Sequence, residues 1–593
     1  MTAEACIFIC VPVICSFVFV AILPLEVELN NKNNDWFLHH SYAHVVFANI
    51  NRGAGMSRSN PAILFGFFVA VIVAMCGSAL LKGGLFISAH EGDTYHLLDI
   101  LLRMTEGQQP HIDFMTPIGA FAFAPIVLFM KFGYGVGTAI VLAQTLVALI
   151  FLPAIWWAAF SRMTGVMPYL FGLIVLVLVT ALVHGNSQSG ISVSMHYNRW
   201  SWGTAFVAIT LAVLPNEGKA RPVADGLVIG LAMSALLMLK ITYFAAFLVP
   251  IGVAMALRGN FRAIVVAAVS GAGVAVLISF VAGIGFWPAY LADLLTVLAS
   301  DIRPNPGEDI GAVVGAPAYL AGSLALLMGV VLLRQAGEGV AGLVLLLLVP
   351  GFFYVTYQNF GNDPQWLMLL GILLFALQPG EGQRNSFGWD MRNAAHATGI
   401  VAFALAAPSF LNLAYSPFKH MKIDVVQYTP LLPNSVQHDD LQGHVYRTIR
   451  AKAQVPMDGV GASSSTFAGP GNDETVTVFQ GETLPQCELQ SGMTRWFQVI
   501  SDDLESQGFA RGKRVFAADV LSSHWLFGSL LPLEQGAPWY YGGLAGFDSA
   551  DYLLVPICPV LQKVREMVLN DIAATGSELT EIRRTPLFIL FSQ

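Results

Sequence analysis

Ser88–Gly119 reads SAHEGDTYHLLDILLRMTEGQQPHIDFMTPIG, an acidic, histidine-bearing island between long apolar runs. Apolar runs recur from Pro61 to Leu411, many of them about 18 residues or longer, which as helix crosses roughly 30 Å of hydrocarbon. Carboxylates beside a bilayer are costly unless solvated or used, so an acidic segment at a membrane face is a functional candidate. The plainer alternative is a water-exposed loop whose charges do nothing specific.

The composition agrees with the runs. Of 593 residues, 55% are hydrophobic and 11% charged, and the mean hydropathy is +0.64. These values describe a polytopic α-helical membrane protein rather than a string of soluble domains. After Ala414 the composition turns ordinary and a soluble domain takes over. The net charge of −8 leaves no basic footprint for nucleic acid. Cys6, Cys10, Cys15 and Cys76 sit in apolar segments, where packing is their default role. Cys487 and Cys558 are the only pair in the tail, able to form one disulfide if the tail lies outside the cytoplasm.

Four regions follow. Residues 1–55 read as a dispensable extension with one apolar helix at 5–22. No basic residue precedes Lys32, so the charged start of a secretory signal is missing, and Met56-Ser-Arg-Ser-Asn looks like a natural beginning. Residues 56–415 form the transmembrane domain, with its first outer loop at 84–113. Residues 416–485 are mixed and include the Gly/Ser-rich stretch GVGASSSTFAGPGNDE. Residues 486–593 alternate helix (490–508, 522–532, 560–575) and strand (514–520, 551–557, 586–592), which predicts a small α/β domain.

Basic residues mark cytoplasmic loops. Arg58, Arg162, Lys219 with Arg221, Arg258 with Arg262, Arg334, and Arg384 with Arg392 fall between apolar runs. The loops at 84–113, 185–199, around Lys240, 287–311 and 357–364 then lie outside, as does the tail. About 11–13 transmembrane helices satisfy this pattern. Phe114–Met130 breaks the parity, because charge bias wants both its ends outside. With Pro117 and Pro125 in it, the segment either dips into the membrane or crosses it.

Within the loop, Glu91 and Asp93 flank Gly92, so that from a turn the two carboxylates would reach one point. Tyr95–Met104 is an amphipathic helix. His96, Asp99 and Arg103 line another stripe of it, most simply a solvated face. Gly107-Gln-Gln-Pro110-His-Ile-Asp113-Phe114 then turns the chain back toward the membrane, and Pro117 and Gly119 open the next apolar segment.

This order of acid, helix, Gly-x-x-Pro-x-x-Asp-Phe turn and Pro-x-Gly resembles the first extracytoplasmic loop of the GT-C superfamily, integral-membrane glycosyltransferases that use polyprenyl-phosphate-linked sugars. The resemblance covers residues 61–415 and is of the mannosyl- or aminoarabinose-transferase kind; the tail matches no family we can name. It implies Asp93 as the catalytic carboxylate, with Glu91 second. A sugar phosphate already carries a good leaving group, so the chemistry needs a base for the acceptor hydroxyl and cations for the phosphate. Direct displacement inverts the anomeric centre.

Lys240, beside Thr242 and Tyr243, and Arg199, in His196-Tyr197-Asn198-Arg199-Trp200, are the candidates for the donor phosphate. The plainer readings are a snorkelling lysine and interfacial aromatic anchors. His96, Asp113, Tyr197, Asn198 and Tyr243 complete the candidate substrate contacts. Outer residues 286–311, with Asp293, Asp301 and Arg303, and 357–365 are further sugar-binding candidates. No cofactor is required. A divalent metal is an open alternative at His90, Glu91, Asp93 and His96, although these lack a recognised ligand spacing. The expected partners are a polyprenyl-phosphate-linked donor, membrane lipid, and an acceptor glycan, lipid or protein, at a bacterial inner membrane with the tail outside the cytoplasm. Two other classes fit the same composition: a transporter or flippase, and a noncatalytic envelope assembly protein. The concentration of charge at one face and the lack of an internal repeat disfavour transport.

Overall fold

An Asn–Pro pair opens the first membrane helix. The Asn60 side chain accepts from the Ala62 and Ile63 N–H groups and Pro61 fills the first turn, where its missing N–H costs nothing. The computed structural model describes residues 59–593 apart from 186–187, 301, 303–310, 312–314, 359–362, 378, 450–476 and 490. The extension 1–55 with its helix at 5–22, Arg58, Asp301, Arg303 and the Gly/Ser-rich stretch lie outside the described residues.

Helix α1 (Pro61–Leu80) leads through β1 (Leu85–Ile87) to α2 (Glu91–Thr105) and the short α3 (Ala124–Lys131). There follow α4 (Val136–Arg162), α5 (Met167–Thr180), α6 (His196–Val213), α7 (Pro222–Leu239), α8 (Ile241–Leu257) and α9 (Phe261–Ala282). Helices α10 (Phe286–Ala299), α11 (Pro317–Gln335), α12 (Gly339–Gln358), α13 (Trp366–Ala376) and α14 (Met391–Met421) complete the membrane part. Among the described residues seven of these, α1, α4, α7, α9, α11, α12 and α14, are long and apolar enough to cross a membrane. The apolar helices α5, α8, α10 and α13 are shorter.

The parity problem at Phe114–Met130 has a geometric answer. The segment holds one 3-10 turn and the eight-residue α3, about 12 Å of helix, too little to cross. Both flanks meet the same part of the tail. β1 pairs in parallel with β3 (Leu441–His444), and the Asp440 carboxylate accepts from the Gly137 and Thr138 N–H groups at 3.0 and 2.7 Å, capping α4. The end of α1 and the start of α4 therefore share one face, and the segment between them dips and returns.

Two contacts bring connections that carry basic residues together in pairs. Arg162 pairs with Asp225 at 2.8 Å, and Asn385 donates to Gln335 at 3.0 Å.

Two helices are shorter than their apolar runs. α5 has 14 residues and α13 has 11, about 21 and 16 Å against the roughly 30 Å of hydrocarbon. Backbone released inside an apolar bundle must find partners, and at the end of α5 the partners are side chains. Gln144 donates to the Ala181 carbonyl, Trp200 to that of Val179 and Gln365 to that of Gly185, while the Ser416 hydroxyl accepts from Leu182 N–H.

The 286–311 stretch, expected as a loop, begins instead with α10, which buries Phe286, Tyr290 and Asp293 at i, i+4 and i+7.

In the tail, β3 carries β2 (Tyr428–Pro430) antiparallel on its other side, giving the order β1-β3-β2. A hairpin of β4 (Val478–Phe479) and β5 (Glu482–Thr483) precedes α15 (Met493–Ser506). The main sheet runs β6-β7-β9-β8, from β6 (Val515–Ala517), β7 (Tyr552–Pro556), β8 (Thr580–Arg584) and β9 (Phe588–Ser592), with α16 (Gln562–Thr575) between β7 and β8. Cys487 and Cys558 form a disulfide. The helix expected at 522–532 shrinks to a 3-10 turn at Ser523–Phe527, cut short by Gly528 and Pro532. β8 was not foreseen because its exposed TEIRR sequence lacks strand alternation.

Candidate functional site

His90 sits in the left-handed region at φ 58° and starts α2 at Glu91. Both carboxylates thus lie in a first helical turn, where the helix dipole favours anions. They do not converge as a turn would have made them, because side chains two apart on a helix point about 200° apart. Glu91 is buried and pairs with Arg447 of the tail at 2.9 Å. Asp93 faces the opposite way and accepts the Ser194 hydroxyl.

Asp93, His96 and Leu97 of α2 form one wall of a small cavity. Ile118 and Phe123 of the dipping segment and Val193, Met195, His196 and Tyr197 at the start of α6 close it. Its volume is about 20 Å³, room for a water molecule. A larger, apolar recess of about 410 Å³ between α1 and α4 is lined by Pro61, Phe65, Pro153 and Trp156. It has no polar chemistry.

Lys240 ends α7 next to this cavity. Its ammonium donates to Asn198 Oδ1 at 3.0 Å and stands 5.7 Å from the centre of the Tyr197 ring. Gly119 makes the juxtaposition possible: its N–H donates to the Leu239 carbonyl, and a Cβ there would fall 2.1 Å from the Met238 oxygen. Asp93, His96, Tyr197, Asn198 and Lys240 are therefore neighbours across three elements.

The other sequence candidates are employed elsewhere. Arg199 is buried, and its guanidinium donates to the carbonyls of Ala181, His184 and Ser194 at 3.1 to 3.3 Å. It satisfies backbone released by the short α5 and does not line the cavity. Asp113 accepts from Gln109 N–H at 2.7 Å and closes its own turn. Tyr243 is fully buried against Trp202 and Phe247. The four candidate metal ligands disperse as well. His90 bonds Ser192, Glu91 Arg447, Asp93 Ser194 and His96 Tyr541. Among the described residues no three His, Cys, Asp or Glu side chains gather to hold a metal.

The stripe read as a solvated face is instead covered by the tail. Asp99 and Arg103 pair at 2.6 Å with no exposure. Trp525 donates to Asp99 at 2.8 Å, and Arg103 donates to the Leu533 carbonyl at 2.9 Å. Nearby, Tyr95 shares a 2.6 Å hydrogen bond with Thr494, and burial drives its phenol pKa well above the usual range.

Four participants were missed. Ser194 holds Asp93 but carries no signal in its own sequence. Trp539 and Tyr541 of the tail meet His96; the aromatic run Trp539-Tyr540-Tyr541 before two glycines was the available cue. His111, at φ 71°, bonds Asp293 of α10 at 2.8 Å and packs 4.4 Å from the Tyr290 ring. Of the 287–311 candidates, Asp293 is thus committed to this dyad and to Thr116 N–H.

No family model and no curated relative matches the chain. Among solved structures, apo ArnT from Cupriavidus metallidurans is similar over 88% of this chain and 97% of its own, with 11% identity and a TM-score of 0.36. At these values the likeness is descriptive and carries no inference about this chain's chemistry.

Proposed function

We propose that this chain is a GT-C-like membrane glycosyltransferase that moves a sugar from a polyprenyl-phosphate-linked donor to an acceptor hydroxyl, with Asp93 as the base. One observation carries the reading. Asp93, and not Glu91, lines the small cavity between α2, the 114–130 segment and the start of α6, with Lys240 beside it.

The chemistry balances with those groups. Asp93 takes the proton of the acceptor hydroxyl, the oxygen attacks the anomeric carbon, and the bond from that carbon to the donor phosphate oxygen breaks with its electron pair. The leaving phosphate gains negative charge, which Lys240 stabilises, and the anomeric centre inverts. His96, Tyr197 and Asn198 offer hydrogen bonds and a ring face to the sugar. Arg199 acts at one remove, holding the backbone of the 181–195 connection. A sugar ring needs several times the volume of the present cavity, so productive binding parts its walls. The Cys487–Cys558 disulfide supports an oxidising compartment for the tail, which in this reading is the outer face of the membrane.

The test is transfer from polyprenyl mono- and diphosphate sugars by wild-type protein, Asp93→Asn and Lys240→Met in lipid. The expected loss for Asp93→Asn is about 10²- to 10⁴-fold in rate, and Lys240→Met should weaken the use of donor. Full transfer by Asp93→Asn, or none by wild type with any such donor, would overturn the reading. His96→Gln and Glu91→Gln, measured alongside, separate the cavity wall from the tail anchor.

A further inference from the structure

We infer that Arg447 of the tail is a positioning residue for Asp93: it clamps the first turn of α2 from the side away from the cavity and so sets where Asp93 points. The clamp is read from contacts alone; its effect on rate rests on the transfer reading.

Two units run in parallel here. β1 leads through His90 into α2, and β3, paired with β1 from Leu441 to Gly443, leads into the one-turn helix Val445–Thr448. With the strands in register, Arg447 reaches the start of α2, where its Nε stands 2.9 Å from Glu91 Oε2. The Glu91 side chain is 6% exposed and that of Arg447 44%, so the carboxylate is shut in while the guanidinium keeps an open side. Arg447 is itself tied down, its carbonyl accepting from Gly492 N–H at 2.8 Å just before α15.

The first turn of α2 needs such a clamp. His90, in the left-handed region, gives it no side-chain cap, and helix ends without a cap fray. Tyr95, one turn on, is held by Thr494 and by the Leu431 carbonyl at 3.0 Å, which secures the helix beyond the turn that carries Asp93. Two residues along a helix is a rotation of about 200°, so Asp93 leaves α2 on the side away from Glu91, where Ser194 donates to it. A roll of this turn that frees Glu91 from Arg447 therefore carries Asp93 off Ser194. The tail thus acts on the site without lining it.

Two measurements on the full-length chain in lipid nanodiscs test this. In transfer, Arg447→Met should lower kcat at least about tenfold and leave KM within about twofold, because a displaced base slows the chemistry and spares the donor contacts. Arg447→Lys, which keeps the charge, should recover much of the loss. Glu91→Gln combined with Arg447→Met should stay as slow as Arg447→Met. A double variant that recovers would put the fault in the stranded Glu91 charge rather than the lost clamp, and overturns the inference. The second measurement needs no transfer: Asp93→Cys with Ser194→Cys is bridged by a short thiol-reactive cross-linker, and adding Arg447→Met should slow the bridging severalfold. Unchanged kcat in Arg447→Met, or a loss carried in KM instead, overturns the inference and spares the transfer reading. No transfer by wild type, with bridging still slowed by Arg447→Met, does the reverse. Bridging indifferent to position 447 overturns the inference whatever transfer shows.

Discussion

At the scale of single residues, two buried titratable groups in the tail set opposite pH slopes. His524 is fully buried between Trp496 and Phe497, and neither ring nitrogen has a partner among the described residues. Burial drives its pKa from 6.5 down to about 3. Below pH 6.5 the unfolded chain takes up a proton that the folded chain refuses, so stability falls as the pH drops from 6.5 toward 3. Asp519 is pushed by burial from 3.8 up to about 7, although the N–H groups of Val520, Val560 and Leu561 favour its charge. Here the folded chain keeps a proton that the unfolded chain releases, so stability is full below 3.8 and is lost as the pH rises toward 7. Between about pH 4 and 6.5 the two slopes, each about 1.4 kcal/mol per pH unit, nearly cancel. His524→Phe should uncover a tail whose denaturation midpoint falls as pH rises through that window, and Asp519→Asn one whose midpoint rises. A flat profile in both variants would refute this pairing.

At the scale of elements, one glycine decides whether the candidate site assembles. Gly119 leaves no room for a Cβ against the backbone of Met238, so Gly119→Ala must push the dipping segment off the end of α7. The expected cost is about 1–3 kcal/mol in stability, as for overpacking against an immovable neighbour, with a loss of transfer larger than stability alone explains. An unchanged melting temperature would show that the contact yields. Gly119 was legible in the sequence as part of the Pro-x-Gly signature; its contact with α7 was not. Most long helices were equally legible, since runs of apolar residues state their length directly. The shortening of α5 was not, because hydropathy is blind to whether Arg199, Gln144 and Gln365 will satisfy the carbonyls released beyond it. Nor could residue spacing place Glu91 and Asp93 on opposite sides of a turn until α2 was known to begin at Glu91. α10 was hidden by its position after an expected crossing, and β8 by its charge.

At the scale of the whole molecule, the tail docks on the acidic loop over an ion pair of α2 that has no exposure. Asp99 and Arg103 come from α2 and Arg103 also donates to Gln108 of the loop at 3.2 Å, while Trp525 and the Leu533 carbonyl of the tail supply further hydrogen bonds. Arg103 also stands 5.7 and 5.5 Å from the ring centres of Phe114 and Trp525. The sequence shows the pair at i and i+4, the commonest spacing for a solvated helix bridge; only the distant tail converts it to a buried one. Removing one partner strands the other's charge away from water, whereas removing both does not. Arg103→Met should therefore cost about 3–5 kcal/mol and loosen the tail from the membrane part, read as faster proteolysis at the junction. Asp99→Leu combined with Arg103→Met should recover much of that loss, because no unpaired charge remains. The two arms separate electrostatics from packing: a double variant weaker than Arg103→Met alone would mean that shape, rather than charge, joins the tail to the loop. In the expected case the tail stays docked in the double variant and Tyr541 stays against His96.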